Sequence, residues 1–149
     1  MKWLFFLLAV WATPSLGCED VLQRQRMIEH LSQDQEFTEF VCGAAPCGVE
    51  ELSTSVEIRS EIVRHKPKAV GCFVEPIRKA RNFYTGVFLI LDSHDPIPQF
   101  IFFGSGIGST KKVLRGMKVI VGHEIGELGK KEIHAYQWNG KAYVERLSK

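Results

Sequence analysis

Apolar positions change their spacing along the chain. From Trp3 to Trp11 (WLFFLLAVW) they form one unbroken run. From Glu19 to Val41 they recur at Val21, Leu22, Ile28, Leu31, Phe37, Phe40 and Val41 among Gln, Glu and Arg, with no proline or glycine. That spacing is helical. Ser32 followed by Gln35 resembles a capping box, which predicts one helix ending near Leu31 and a second from about Gln33 to Val41, with Gly43 just past its end.

After Val49 the period drops toward two. In VEIRSEIV, Val56, Ile58, Ser60 and Ile62 share one face and Glu57, Arg59 and Glu61 the other, which predicts a strand. The segments AVGCFVE, YTGVFLILD, PQFIFFG, MKVIVGH and EIHAYQW follow, each short, β-branched or aromatic, and bounded by Pro, Gly, Asp or Asn. No helical pattern between them is long enough for a crossover, so neighbours should pair antiparallel. The expected fold is α+β, an N-terminal helical segment packed on an antiparallel β-meander of about five to six strands.

Near the C-terminus AYQWNGKAYV carries Asn139-Gly140, the strongest two-residue signal for a type I′ hairpin. A two-residue turn there pairs Trp138 with Lys141 and Tyr136 with Tyr143, placing all four on one face. Cross-strand aromatic pairs stabilise hairpins, so a core face is the favoured reading. An exposed platform for a sugar, peptide or partner is the alternative, and it makes Tyr136, Trp138, Lys141 and Tyr143 the candidate binding residues. YQWNGKAY also resembles the closing Y-x-W-x-G-x-x-Y hairpin of a group of small exported bacterial proteins of unknown function, a similarity reaching back to about Ala69 through VGCFVE and GVFLILD. The group has no catalytic residue to transfer. The resemblance implies a location in the bacterial envelope.

The first apolar run fits export. Lys2 supplies a positive n-region, and the run is far shorter than the ~20 residues a membrane span needs. Ser15 and Gly17 supply small residues before Cys18, so residues 1–17 read as a signal peptide and 18–149 as one globular domain. All four cysteines lie in the mature chain, and an even count in an exported protein favours disulfides. Gly43 and Pro46 favour a turn that brings Cys42 to Cys47, which leaves Cys18 with Cys72. Lipidation of Cys18, as in a membrane-anchored lipoprotein, is the alternative fate. Leu16 stands one place late for a lipobox, and acylation would leave an odd number of thiols. Membrane contact is expected only in that case.

Charge and motifs exclude more than they assign. The formal charge is +2, and removal of Lys2 with the leader lowers it by one. Without a basic block, no nucleic-acid partner is expected. Cys-x4-Cys is a poor zinc pattern, and no two of His30, His65, His94, His123 and His134 lie at helical i, i+4 spacing, so neither metal nor cofactor is expected. FGSGIGSTKK lacks the G-x-x-x-x-G-K-[ST] pattern and runs into further strand-like sequence, which suits a flexible hairpin or bulge better than a phosphate loop. Asp92, His94 and Asp95 in LDSHDPIP are turn formers. Ser105 lacks a nucleophile elbow, so no triad can be nominated for a small hydrolase. The expected function is a non-catalytic binding, inhibitory or interaction module of the envelope. Its expected partner is another envelope protein or a cell-wall component, and an anchored accessory role is the alternative.

Overall fold

The computed structural model describes residues 17–43, 45–92 and 94–146. The expected signal peptide, apart from Gly17, lies outside them.

Among the described residues three helices precede eight strands. Helix α1 (Val21–Leu31) is capped by Asp20, whose carboxylate accepts from the N–H groups of Leu22 and Gln23. Helix α2 (Gln35–Cys42) is capped by Asp34, which accepts from Phe37 N–H at 2.8 Å. The expected capping box at Ser32 is therefore not used. Ser32 instead closes α1, its hydroxyl donating to the Glu29 carbonyl at 2.8 Å. An ionised carboxylate at the N-cap also meets the positive end of the helix dipole, which a serine does not. Gly43 ends α2 with φ 96°, the left-handed geometry glycine allows. Helix α3 (Val49–Ser55) was not anticipated, because its seven residues bury only Leu52 and so show no period.

Strands β1 (Val56–Arg64), β2 (Ala69–Pro76), β3 (Phe83–Leu91) and β4 (Ile97–Gly104) form one four-stranded sheet, and β5 (Gly106–Leu114), β6 (Met117–Ile125), β7 (Lys131–Trp138) and β8 (Tyr143–Arg146) a second. Every pairing is antiparallel and follows chain order. The α+β meander is thus present, with eight strands in two sheets in place of five to six. The strands that raise the number are β5, whose GIGSTKKVL has few apolar positions, and the four-residue β8.

The first sheet is the middle of three layers. Val70, Cys72, Val74, Phe88 and Ile90 pack under the helices with Met27, Leu31, Phe37 and Leu52. Ala69, Phe73, Val87 and Leu89 point the other way, onto Ile107, Met117, Ile120, Tyr136 and Tyr143 of the second sheet. Burial on both faces explains why β2 and β3 read as near-continuous apolar runs. The two disulfides are Cys18–Cys72 and Cys42–Cys47, the pairing inferred from spacing. Such bonds persist in oxidising compartments. Among the described residues no helix is long and apolar enough to cross a membrane.

Two local details depart from expectation. The two-residue turn with positive φ at both centres lies at Arg115 (51°) and Gly116 (77°), joining β5 to β6, and not at Asn139-Gly140. Trp138 pairs with Tyr143, so Asn139 to Ala142 form a four-residue connection. The Asn139 side chain causes this, because its Oδ1 accepts from both Lys141 N–H and Ala142 N–H, an Asx-type turn. Two residues of the polar face of β1, Arg59 and Glu61, also turn toward the second sheet. Glu61 accepts from Ser109 N–H at 2.6 Å, and Arg59 donates to the Ile107 carbonyl at 2.5 Å while lying over the Phe73 ring. These side chains satisfy backbone groups on the edge strand β5.

Candidate functional site

The four hairpin residues do not form one exposed surface. Tyr136 and Tyr143 are 9% and 5% exposed in the core between the sheets, Trp138 is half-buried at its margin, and Lys141 is in solvent. Phe100 stacks on Tyr136 with centroids 4.1 Å apart, Trp138 meets Tyr143 edge-on at 5.6 Å, and Tyr143 O–H donates to the Lys118 carbonyl at 2.8 Å. The longer turn removes Lys141 from the ladder that was to hold it beside the rings.

Burial, followed by the charges of Glu145 and Glu124, pushes the Tyr136 hydroxyl from 10.0 up to about 12, and burial pushes Tyr143 the same way. The unfolded phenols therefore ionise first. The stability that these neutral rings contribute is whole below pH 10.0 and is lost as the pH climbs through the folded values. Each should steepen the decline by about 1.4 kcal/mol per pH unit in that window. Urea denaturation between about pH 9 and about pH 11 should show a shallower slope for Tyr136→Phe than for the parent. An equal slope would remove Tyr136 as a contributor.

A grouping absent from the sequence reading lies on the same face of the second sheet. Glu124 pairs with Glu132, Gly122 with His134, and Tyr136 with Glu145, so the side chains of three strands converge. His134 Nδ1 is 2.7 Å from Glu145 Oε1, and Nε2 is 3.4 Å from Glu124 Oε2. One ligand-type atom from each of Glu124, Glu132 and His134 lies within 4.8 Å of the others, so these residues could hold a metal. Phe102 supplies an apolar wall, its ring edge-on to the imidazole at 5.6 Å. The available signal was Glu132-x-His134, the period of a strand face. Its i, i+2 spacing differs from the i, i+4 spacing of paired ligands on a helix. His123, on the opposite face, is held below the usual imidazole range by burial and then by Lys131.

A second feature lies at the other sheet. Phe40 of α2, Tyr84 of β3 and Phe103 of β4 contact one another edge-on or tilted, with centroids 4.8 to 6.2 Å apart. Tyr84 and Phe103 are a cross-strand pair, and β4 is an edge strand. Phe103 is 38% exposed, which leaves an aromatic face open beside that edge. Burial and then Glu36, whose carboxylate lies 3.4 Å from the hydroxyl, hold Tyr84 above the usual phenol range. Phe40 and Phe103 were not candidate site residues in the sequence, since helical and strand patterns alone do not show that α2 lies over that end of the sheet.

The remaining motifs have structural roles. Gly104, Ser105 and Gly106 form the corner at which the chain passes from one sheet to the other, and a strand, not a helix N-terminus, follows. His94 closes the turn after β3, its N–H donating to the Leu91 carbonyl, and Asp95 pairs with Arg26. Comparison with known proteins finds no matching family, no similar curated protein and no similar solved structure.

Proposed function

We propose that the protein is an exported component of the bacterial envelope that acts as a non-catalytic binding module, docking another envelope protein on the Phe40–Tyr84–Phe103 face. The observation that carries this reading is the partly exposed aromatic group at the edge strand β4, in a sheet tied to the helical layer by Cys18–Cys72. Aromatic rings bring large contact area at little entropic cost, and interfaces concentrate their binding energy on such residues. The hydrophobic run, the Ser15-x-Gly17 order and the disulfides support export. A soluble mature form fits better than a lipid-anchored one, because acylation would compete with the bond between Cys18 and Cys72.

Affinity capture from native envelope extracts tests the reading. Parent protein should retain a defined partner, and Phe103→Ala should reduce retention at least about 30-fold, the scale of an aromatic hot spot. Its stability should change by less than about 1.5 kcal/mol, since the ring is only partly buried. Equal capture by parent and Phe103→Ala would overturn the assignment of this face. Retention of isolated cell wall in place of a protein would replace the partner class.

A further inference from the structure

We propose that Glu124, Glu132 and His134 form a binding site for a divalent transition metal, with zinc as the best-matched ion and Glu145 as a positioning residue. His134 Nδ1 lies 2.7 Å from Glu145 Oε1, and where Nδ1 is the donor in that contact Nε2 is the ring nitrogen left to face Glu124. A carboxylate orienting the far nitrogen of a histidine is the usual outer support of a metal-binding imidazole.

Nε2 is itself sealed from solvent and has no hydrogen-bond partner among the described residues. In the tautomer with Nδ1 donating to Glu145, Nε2 and the Glu124 oxygen are both acceptors, and a cation between them would be held by both. Their 3.4 Å separation is long for an N–H···O bond, which prefers roughly 2.7 to 3.2 Å. It equals the spacing of two ligands on a tetrahedral zinc ion, because bonds of about 2.1 Å place neighbouring ligands about 3.4 Å apart.

Glu132 sits on the adjacent strand opposite Glu124, and its exposed side chain can swing the remaining distance. Phe102 excludes water from one side of the imidazole. One nitrogen and two carboxylates favour zinc over calcium or magnesium, which take oxygen ligands. All four cysteines are held in disulfides, so none competes for the ion. The site is separate from the Phe40–Tyr84–Phe103 face, so either proposal can fail without the other.

Isothermal titration of the mature chain with zinc chloride alone tests the site. Parent protein should bind one zinc ion per chain, and metal should raise its melting temperature. His134→Ala should abolish saturable binding, and Glu132→Gln should weaken it at least about 10-fold. Glu132 is exposed, so this variant should melt as the parent does without metal. Glu145→Gln should weaken binding by about 10- to 100-fold. Nitrogen NMR of parent His134 should show a protonated Nδ1 and a metal-bound Nε2. Absence of stoichiometric zinc binding by the parent would make the cluster an ion pair only. Binding unchanged in both His134→Ala and Glu132→Gln would place the ion elsewhere. Either result overturns the proposal.

Discussion

Replacing Cys18 and Cys72 together with Ala should lower stability by about 4 kcal/mol, against about 2 kcal/mol for the same change at Cys42 and Cys47. The difference follows from loop length, since the bonds span 54 and 5 residues. A cross-link removes more freedom from the unfolded chain when it closes a longer loop. The Cys18–Cys72 loop contains all three helices and β1, so this bond ties the helical layer to the central strand β2. Both sulfurs also lie in the fully buried core beneath the helices, and shortening these side chains adds a packing loss. Urea denaturation of the two double variants beside the parent would decide the order. Equal losses would mean that the helical layer holds without its covalent tie.

Phe102→Ala should cost about 3 to 5 kcal/mol, the usual penalty for removing a large buried aromatic. Phe102 is 4% exposed and reaches from β4 into the second sheet, where its ring packs edge-on against Tyr136 and His134. The ring rests on bare backbone at Gly104 and Gly122, where an added Cβ would run into it. Gly122→Ala should therefore cost about 1 to 3 kcal/mol in the parent through overpacking. In the Phe102→Ala background the same change should cost less than about 1 kcal/mol, because the clash is gone. Additive losses in the double variant would show that the glycine serves its own backbone geometry. The contact also matters to the candidate metal centre, since the same ring walls His134.

Sequence patterns carried the element types further than their edges. Helices α1 and α2 and the strands β1, β2, β3, β4, β6 and β7 follow from spacing, because burial of one face imposes a period on the chain. Helix α3 is too short to show one, and the four-residue β8 was legible only as the return strand of the C-terminal hairpin. Strand β5 escapes because the Arg59 and Glu61 side chains of β1 satisfy part of its backbone, so it needs few apolar residues to stay in place. At the C-terminal hairpin, Asn-Gly is a signal for two turn geometries. The choice rested on whether Asn139 Oδ1 could capture two backbone donors, which only the folded loop reveals.

The candidate sites divide in the same way. By itself the sequence determined the cysteine count and spacing, the alternation that makes sheets, and the aromatic content of the last hairpin, because each is a property of neighbours along the chain. Hairpin alternation already favoured a core face for Tyr136 and Tyr143, which do lie inward, whereas tertiary structure alone decided that Phe103 lies half outward. It also decided that Glu124, Glu132, His134 and Glu145 meet. Glu132 and His134 are two residues apart, but Glu124 and Glu145 reach them only through the registers of β6 with β7 and β7 with β8. A one-residue slip in either register would send those carboxylates to the opposite face of the sheet. Register is set by turn geometry and by the core on the buried face, so the site exists only once the two sheets have packed.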